Sequence, residues 1–241
     1  MRSRIWTAPE HAWLTALARG GFASVWDGLD GEVVDRNRLR RVERITTPGG
    51  VAYLKRFFGV QAKNELKLRF LQQPRCTSQA MRERLVIDKL HAEGFRPPEV
   101  LAAGDETSFG HERRSLLLTA SLDGHALADT DDLPETTVLE VAEHLGSVTS
   151  KGVFLPDLGL DHVFASPGGY QLLDFHNARF GPRPSARELG RAIVRFFRSP
   201  GADGLRQRDF VERFARLFLR AAGRPEAEQR VFDLCRRRLA I

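Results

Sequence analysis

Two carboxylates and an imidazole lie close together in the stretch 155–180. Asp157 and His162 come before residues that alternate well enough to form two short strands, and Asp174 comes directly after them. Pro167-Gly168-Gly169 supplies the turn of a β-hairpin. Because the outer ends of a hairpin meet at about 5 Å strand spacing, we expect His162 and Asp174 to be neighbours. This set of side chains suits a divalent metal ion with a general base beside it.

Two further side chains are candidates for holding a phosphate group. Lys55 lies in a strand-like stretch, 51–57, and Glu83 lies in the second predicted helix after it, roughly Ser78–Ala92, with Ser78 as its N-cap. A lysine–glutamate pair between strand and helix would hold the ammonium group in place for nucleotide phosphates. The alternatives are a solvated strand lysine and, because arginines flank Glu83, a salt bridge on the helix surface.

The elements around these residues are mainly strands in the first half of the chain and mainly helices in the second. This order predicts an α+β fold with an extension at 1–20, a β-rich lobe at 21–120 and a helical lobe at 121–241. The predicted strands are Phe22–Trp26, Glu32–Val34, Arg41–Thr46, Val51–Phe57, Val100–Ala103 and Ser115–Ala120, and the predicted helices are 60–72, Ser78–Ala92, Pro134–Ser150, 185–198, 209–222 and 225–239.

Composition limits the class of protein and its location. The 241 residues carry a formal net charge of +6, almost wholly from arginine. Such an excess of positive charge fits an acidic partner, such as a phosphorylated substrate, an anionic lipid or a nucleic acid. It equally fits a GC-rich genome that favours arginine. Two distant cysteines favour a reducing compartment. No apolar run reaches membrane-spanning length and no signal-peptide block is seen, so we expect a cytoplasmic protein.

The order of the candidate residues resembles that of protein-kinase-like enzymes. It runs from a strand lysine and a helix glutamate to a loop aspartate, a metal ligand five residues later, and Asp-Phe-X after a hairpin. The segments YLKRF, AMRERLVIDKLHAEGFRPPEVLAAG, DLGLDHVF and LLDFHNARF are similar to those of lipopolysaccharide kinases of the Kdo/heptose (WaaP-like) type. The resemblance extends from about Phe22 to Arg198, and its most specific residue is His162, where protein kinases carry asparagine.

The resemblance implies a bilobal protein-kinase-like fold and transfer of the ATP γ-phosphoryl group to a heptose or Kdo hydroxyl of the lipopolysaccharide inner core. It implies that Asp157 accepts the proton of that hydroxyl and that His162 and Asp174 hold Mg²⁺ or Mn²⁺. Lys55 would contact the α- and β-phosphates, with Glu83 as its ion-pair partner. Since the acceptor is linked to lipid, the resemblance also implies peripheral contact with the inner face of the inner membrane.

Two departures from the protein-kinase pattern bear on this site. The loop that covers the phosphates is expected at Val33–Arg38 and contains no glycine, so its N–H groups would hold phosphates less well. Arg36 or Arg38 would then act as a cationic clamp, the alternative being solvated turn arginines. Asp-Phe-Gly is replaced by Asp174-Phe175-His176, and the absent glycine reduces the freedom of Asp174 to flip.

Other functions stay open at this point. The acceptor could be another small molecule or a protein. A pseudokinase or nucleotide-binding module would fit the absent glycines and Leu155-Pro156, which stands where protein kinases have His-Arg. The joint presence of all five site residues opposes it. No nucleic-acid partner is expected, because no DNA-binding motif accompanies the arginines. Lys63, Lys67 and Arg69 would face an anionic lipid or lipid A phosphates, or else lie on a solvated helix.

Overall fold

The computed structural model describes residues 1–60, 65–71, 73–181 and 183–241. Met1–Asp88 and Pro98–Ser121 form one compact unit, and Lys89–Pro97 and Leu122–Ile241 form a second. Part of the predicted helix 60–72, including Lys63, lies outside the described residues. The described part of that helix contains a π-helix at Lys67–Leu71.

A six-stranded antiparallel sheet forms the framework of the first unit. Its strands are β1 (Arg2–Thr7), β2 (Glu32–Arg36), β3 (Arg40–Thr47), β4 (Gly50–Phe57), β5 (Val100–Ser108) and β6 (His111–Ala120), and its helices are α1 (Ala12–Ala18), α2 (Gly21–Gly28) and α3 (Gln79–Ala92). The strand order is β1-β5-β6-β4-β3-β2. Strand β1 therefore lies at an edge, paired with β5 from much later in the chain.

The predicted strand Phe22–Trp26 is wrong, because these residues belong to helix α2. Its aromatic and β-branched residues favour a strand by propensity. Their spacing of three and four residues also places Phe22, Val25 and Trp26 on one side of a helix. All three are buried in a core that includes Ala52 of the sheet. Burial of one helix face against the sheet outweighs the local propensity.

Burial alternates along strand β4, as predicted for the strand that carries Lys55. Arg56 points toward the buried side, where its guanidinium pairs with Glu43 and donates to the carbonyl oxygens of Trp26, at 2.9 Å, and of Leu29. Burial lowers the pKa of Arg56, and Glu43 partly offsets that effect. Lys55 is consequently directed to the opposite face of the sheet.

Glu112 of β6 gives the first unit a pH-dependent stability. Its carboxylate accepts hydrogen bonds from the Ser115 hydroxyl and from the N–H of Gln79, at 3.1 Å. Burial raises the pKa of Glu112 from 4.5 to about 7. The folded chain therefore binds this proton more tightly than the unfolded chain. Protonation of Glu112 therefore contributes at most about 3 kcal/mol to the free energy of unfolding. This contribution is complete below pH 4.5 and is lost as the pH rises through 7.

We expect urea unfolding of Glu112→Gln to depend less on pH between 5 and 8 than that of the wild type. The amide keeps one acceptor and stays neutral throughout this range. Glu32→Gln, at an exposed position of the same sheet, should retain the wild-type pH dependence. An identical pH dependence in the wild type and in Glu112→Gln would contradict this role.

The second unit is mainly helical. Its elements are α4 (Glu135–Ser150), α5 (Ala186–Phe196), α6 (Arg208–Ala221) and α7 (Glu228–Leu239), with the short strands β7 (His125–Ala126), β8 (Val153–Phe154), β9 (Val163–Ser166), β10 (Gly169–Leu172) and β11 (Arg179–Phe180). The four predicted helices are confirmed to within three residues at each end. Phe210, Phe214 and Phe218 recur at helical spacing on α6 and are buried, so this apolar stripe belongs to the core. Among the described residues, no helix has both the length and the apolar character to cross a membrane.

Candidate active site

The predicted hairpin is present and joins the ends of the candidate motif. Strands β9 and β10 pair with Ser166 opposite Gly169, which leaves Pro167-Gly168 as a two-residue turn. At the open end, the N–H of Leu173 donates to the carbonyl oxygen of His162 at 2.9 Å. His162 and Asp174 are thereby brought together, as the sequence predicts.

The side chain of His162 lies next to two carboxylates. Its Nε2 is 3.9 Å from Oδ2 of Asp174 and 3.5 Å from Oδ2 of Asp161, a residue that the sequence reasoning missed. Its Nδ1 is buried, and no described residue hydrogen-bonds to it. Ligand atoms that sit about 2.0–2.1 Å from Mg²⁺ lie roughly 3–4 Å from one another. The 3.9 Å between Nε2 of His162 and Oδ2 of Asp174 therefore fits two ligands of one divalent cation of the Mg²⁺ or Mn²⁺ type.

Asp174 has an unusual backbone conformation. Its φ of +60° lies in the left-handed region, which aspartate tolerates better than most side chains but at some cost in free energy. His176 stands where the protein-kinase motif has glycine, and its Nδ1 lies 2.8 Å from Oδ1 of Asp174. The substitution thus adds a contact that holds Asp174 in place, in line with the predicted loss of freedom.

A chain of hydrogen bonds links Asp174 to Asp157. From His176, which contacts Asp174, the chain continues to Asn177, whose Nδ2 lies 2.7 Å from His176 Nε2. The same amide group donates to Oδ2 of Asp157. A neutral His176 with its proton on Nδ1 satisfies every link, because its Nε2 then accepts from Asn177. We call these four residues the carboxylate chain.

Asp157 has a second partner on helix α5. Its Oδ1 lies 3.5 Å from Nε of Arg195, and the Asp157 side chain stays partly exposed. Sequence reasoning missed both Asn177 and Arg195. Asn177 had a local signal, since it follows His176 in a polar run after the hairpin. Arg195 had none, because nothing in the sequence distinguishes it from the neighbouring arginines of α5.

In the first unit, Lys55 and Glu83 form the predicted ion pair. Nζ of Lys55 lies 3.0 Å from Oε2 of Glu83. The Glu83 carboxylate is fully buried and the Lys55 side chain is 18% exposed. The flanking Arg84 pairs with Asp88 along the helix at 3.4 Å. Glu83 therefore faces the sheet, which argues against the alternative of a salt bridge on the helix surface.

The predicted phosphate loop Val33–Arg38 is wrong in its bounds, because β2 continues to Arg36 and the chain turns only at residues 37–39. Oδ1 of Asn37 accepts hydrogen bonds from the N–H groups of Leu39 and Arg40, each at 2.9 Å. A short polar side chain thus satisfies the N–H groups of the turn locally. Arg36 and Arg38 are both exposed here.

The comparisons with known proteins identify the family. The model described as "Lipopolysaccharide kinase (Kdo/WaaP) family" matches residues 24–216, about four fifths of the chain. The chain belongs to this family. It is accordingly an ATP-dependent lipopolysaccharide kinase that phosphorylates a sugar hydroxyl of the lipopolysaccharide core.

A solved structure described as "WaaP in complex with acyl carrier protein" is similar to this lipopolysaccharide kinase over 100% of the chain and 98% of that structure. The TM-score is 0.70 and the sequence identity is 18%. The likeness confirms the predicted kinase-like fold. No curated protein matches the chain.

The carboxylate chain predicts a positioning role for Asn177. Asn177→Ala removes the hydrogen bond to Asp157 and frees His176, so we expect kcat of the lipopolysaccharide kinase to fall about 10- to 100-fold. The KM for ATP and the melting temperature should change little, because the lost contacts orient one side chain. Gln229→Ala, which removes an amide that hydrogen-bonds to Asp233 at 3.0 Å, is the matched control. Equal kcat values for the two variants would refute the positioning role.

Proposed function

We propose that Asp157 accepts the proton of the attacking sugar hydroxyl, and that His162 and Asp174 are ligands of Mg²⁺ or Mn²⁺. The observation that carries this proposal is the carboxylate chain, which fixes the proposed base and a proposed metal ligand in one hydrogen-bonded arrangement. Fixed geometry is what phosphoryl transfer requires, because its loose transition state leaves positioning and electrostatics as the main contributions.

In this proposal Asp157 mainly orients the acceptor. Asn177 and Arg195 occupy one direction at each of its oxygens. Each carboxylate oxygen can accept more than one hydrogen bond. The exposed part of Asp157 can therefore accept a sugar O–H and take its proton as the bond to phosphorus forms.

The proposed metal ligands gather at the open end of the hairpin. His162 and Asp174 would hold a divalent ion there, and its positive charge would stabilise the negative charge that develops on the nucleotide phosphates. Asp174 is held for this role by His176 and by its left-handed backbone. Asp161, 3.5 Å from His162, would orient the imidazole or serve as a further ligand.

Lys55 is proposed to contact the α- and β-phosphates, with Glu83 restraining its ammonium group. Arg36 and Arg38 are proposed as a cationic clamp on the nucleotide. This role is supported because Asn37 already engages two N–H groups of the turn. Neither arginine pairs with a carboxylate of the described chain.

We also propose that the enzyme works at the cytoplasmic face of the inner membrane as a peripheral protein. Leu66, Phe70 and Phe109 are exposed apolar side chains, and Phe109 is 99% exposed. The turn at Phe109 lies next to the π-helix that carries Phe70. The guanidinium of Arg69, in that π-helix, is 3.2 Å from the position that a Cβ atom on Gly110 would take. Exposed apolar side chains next to a cation such as Arg69 suit binding to an anionic membrane surface.

The test is transfer of label from γ-labelled ATP, with Mg²⁺ or Mn²⁺, to a dephosphorylated lipopolysaccharide inner core. We expect labelled heptose or Kdo, no label on a protein acceptor such as casein, and no label when a chelator removes the metal. Nucleotide binding without transfer to any acceptor would favour a binding module. Transfer to casein or to a small alcohol, and not to the core, would favour a different acceptor.

A further inference from the structure

A cavity of about 590 Å³ lies beside Asp157 within the second unit. Its volume falls in the range of about 300–1,000 Å³ that is typical of small-molecule sites. Its wall includes Arg191, Arg195 and Arg198, from helix α5 and the turn after it, and Arg238 from the last turn of α7. The first three recur at intervals of four and three residues, which places them on one side of the helix.

The cavity carries an excess of positive charge. Asp157 and Asp161 are its acidic lining residues, so four guanidinium groups face two carboxylates. Of the four arginines, Arg195 alone pairs with a carboxylate of the described chain. Arg198 donates to the carbonyl oxygen of Arg238, which is a neutral partner.

Two arginines of α6 and α7 that lie outside the cavity pair with carboxylates. Arg216 of α6 lies 3.0 Å from Glu228, and Arg236 of α7 lies 2.6 Å from Glu212. In the lining of the cavity, by contrast, four arginines outnumber two carboxylates. Like charges held close together repel one another, and an anion bound among them would relieve that repulsion.

The loop that carries Asp157 is fastened to the wall of the cavity. The N–H of Leu160 donates to Oγ of Ser199 at 3.0 Å, and that hydroxyl donates to the carbonyl oxygen of Phe196 at 2.7 Å. These bonds tie the segment that follows Asp157 to the end of α5, next to Arg195 and Arg198. A ligand seated among the arginines would have a fixed position relative to Asp157.

We infer that this cavity binds an acidic group, a carboxylate or a phosphate, on the acceptor saccharide. The inference rests on the proposed role of Asp157, because the hydroxyl that loses its proton there must lie at this wall. Of the two proposed metal ligands, His162 lines the cavity and Asp174 does not, so the cavity adjoins the proposed metal site. The proposed contact of Asp157 with the sugar hydroxyl assigns the cavity to the acceptor. Val194, Pro200 and Leu234 supply apolar surface for the C–H faces of a sugar ring.

The test compares two double variants with the same change in net charge. Arg191→Gln/Arg238→Gln removes two cations from the cavity. Arg187→Gln/Arg237→Gln removes two exposed cations from the same helices outside it. We expect the first double variant to raise the KM for the core oligosaccharide at least about tenfold and to weaken its calorimetric Kd similarly. Its kcat and its KM for ATP should stay within about twofold, and the control should resemble the wild type.

Two modified acceptors separate the sources of the acidic group. In one, the sugar carboxylates are reduced to alcohols, and in the other the phosphates are removed. On one of these acceptors the wild type and the cavity variant should have the same KM and Kd. The group removed from that acceptor is the one that the arginines bind. Unchanged acceptor KM and Kd in the cavity variant, or a rise in the KM for ATP alone, would overturn the inference. If the wild type transfers no phosphate to the core oligosaccharide, the proposed function is refuted. Calorimetric binding of that oligosaccharide to the wild type and to the cavity variant would still decide the role of the cavity.

Discussion

Asp157→Asn is expected to lower kcat for transfer to the core sugar by about 100- to 10,000-fold, while ATP binding stays within about twofold. The amide has nearly the shape of the carboxylate and keeps an oxygen that can accept from Asn177. It cannot take a proton at neutral pH, and its NH₂ group would face either Arg195 or the sugar hydroxyl, both of which are donors. Single-turnover transfer and nucleotide titration on the same preparation separate the two effects.

Asp203→Asn is the matched control for this variant. Asp203 is an exposed aspartate that pairs with Arg206 at 2.7 Å, so the control makes the same chemical change and also removes an arginine partner. It should transfer phosphate at the wild-type rate. Wild-type kcat in Asp157→Asn would exclude Asp157 as the base, and a loss explained by weaker ATP binding would place it in the nucleotide site.

Lys55→Met should raise the KM for ATP at least about tenfold and lower kcat as well, because the proposed contact with the α- and β-phosphates is lost. The same change leaves the carboxylate of Glu83 buried without its cation. Removing one partner of a buried ion pair costs about 3–5 kcal/mol of stability. Since Lys55 is partly exposed, we expect the lower end of that range in urea unfolding.

The double variant Lys55→Met/Glu83→Gln separates stability from catalysis. It removes both charges from the buried site, so most of the lost stability should return while the KM for ATP stays high. Lys89→Met/Glu93→Gln removes an ion pair near the end of the same helix and should change neither quantity. Recovery of ATP binding together with stability would show that Lys55 acts on the fold and not on the phosphates.

The parts of the site that the sequence predicts are those fixed by local chemistry. The turn at Pro167-Gly168 and the alternation on either side of it define a hairpin, and a hairpin places His162 next to Asp174. The Lys55–Glu83 pair follows from strand alternation and from the order of elements. Each inference needs only two elements to be correct, two strands for the hairpin and a strand and a helix for the ion pair, and short-range patterns determine those elements.

The parts that sequence reasoning missed depend on distant contacts. Arg195 reaches Asp157 from a helix that begins after the hairpin, and an arginine-rich sequence marks no one cation for that contact. Local propensity predicts a strand at Phe22–Trp26, whereas the burial that favours helix α2 depends on contact with the distant sheet. The predicted loop Val33–Arg38 begins too early, because the position of the turn at residues 37–39 depends on the pairing of β2 with β3.

The pairing of β1 with β5 also has a consequence for synthesis on the ribosome. Thr7 pairs with Ala102 and Arg2 with Thr107, so the partner of β1 is translated about 100 residues later. At roughly 5–20 residues per second, β1 waits on the order of 5–20 s, whereas the β2–β3 and β3–β4 hairpins form within about 10 microseconds once translated. The sheet therefore begins to form from β2, β3 and β4 at the opposite edge, whereas the strand translated first waits for β5.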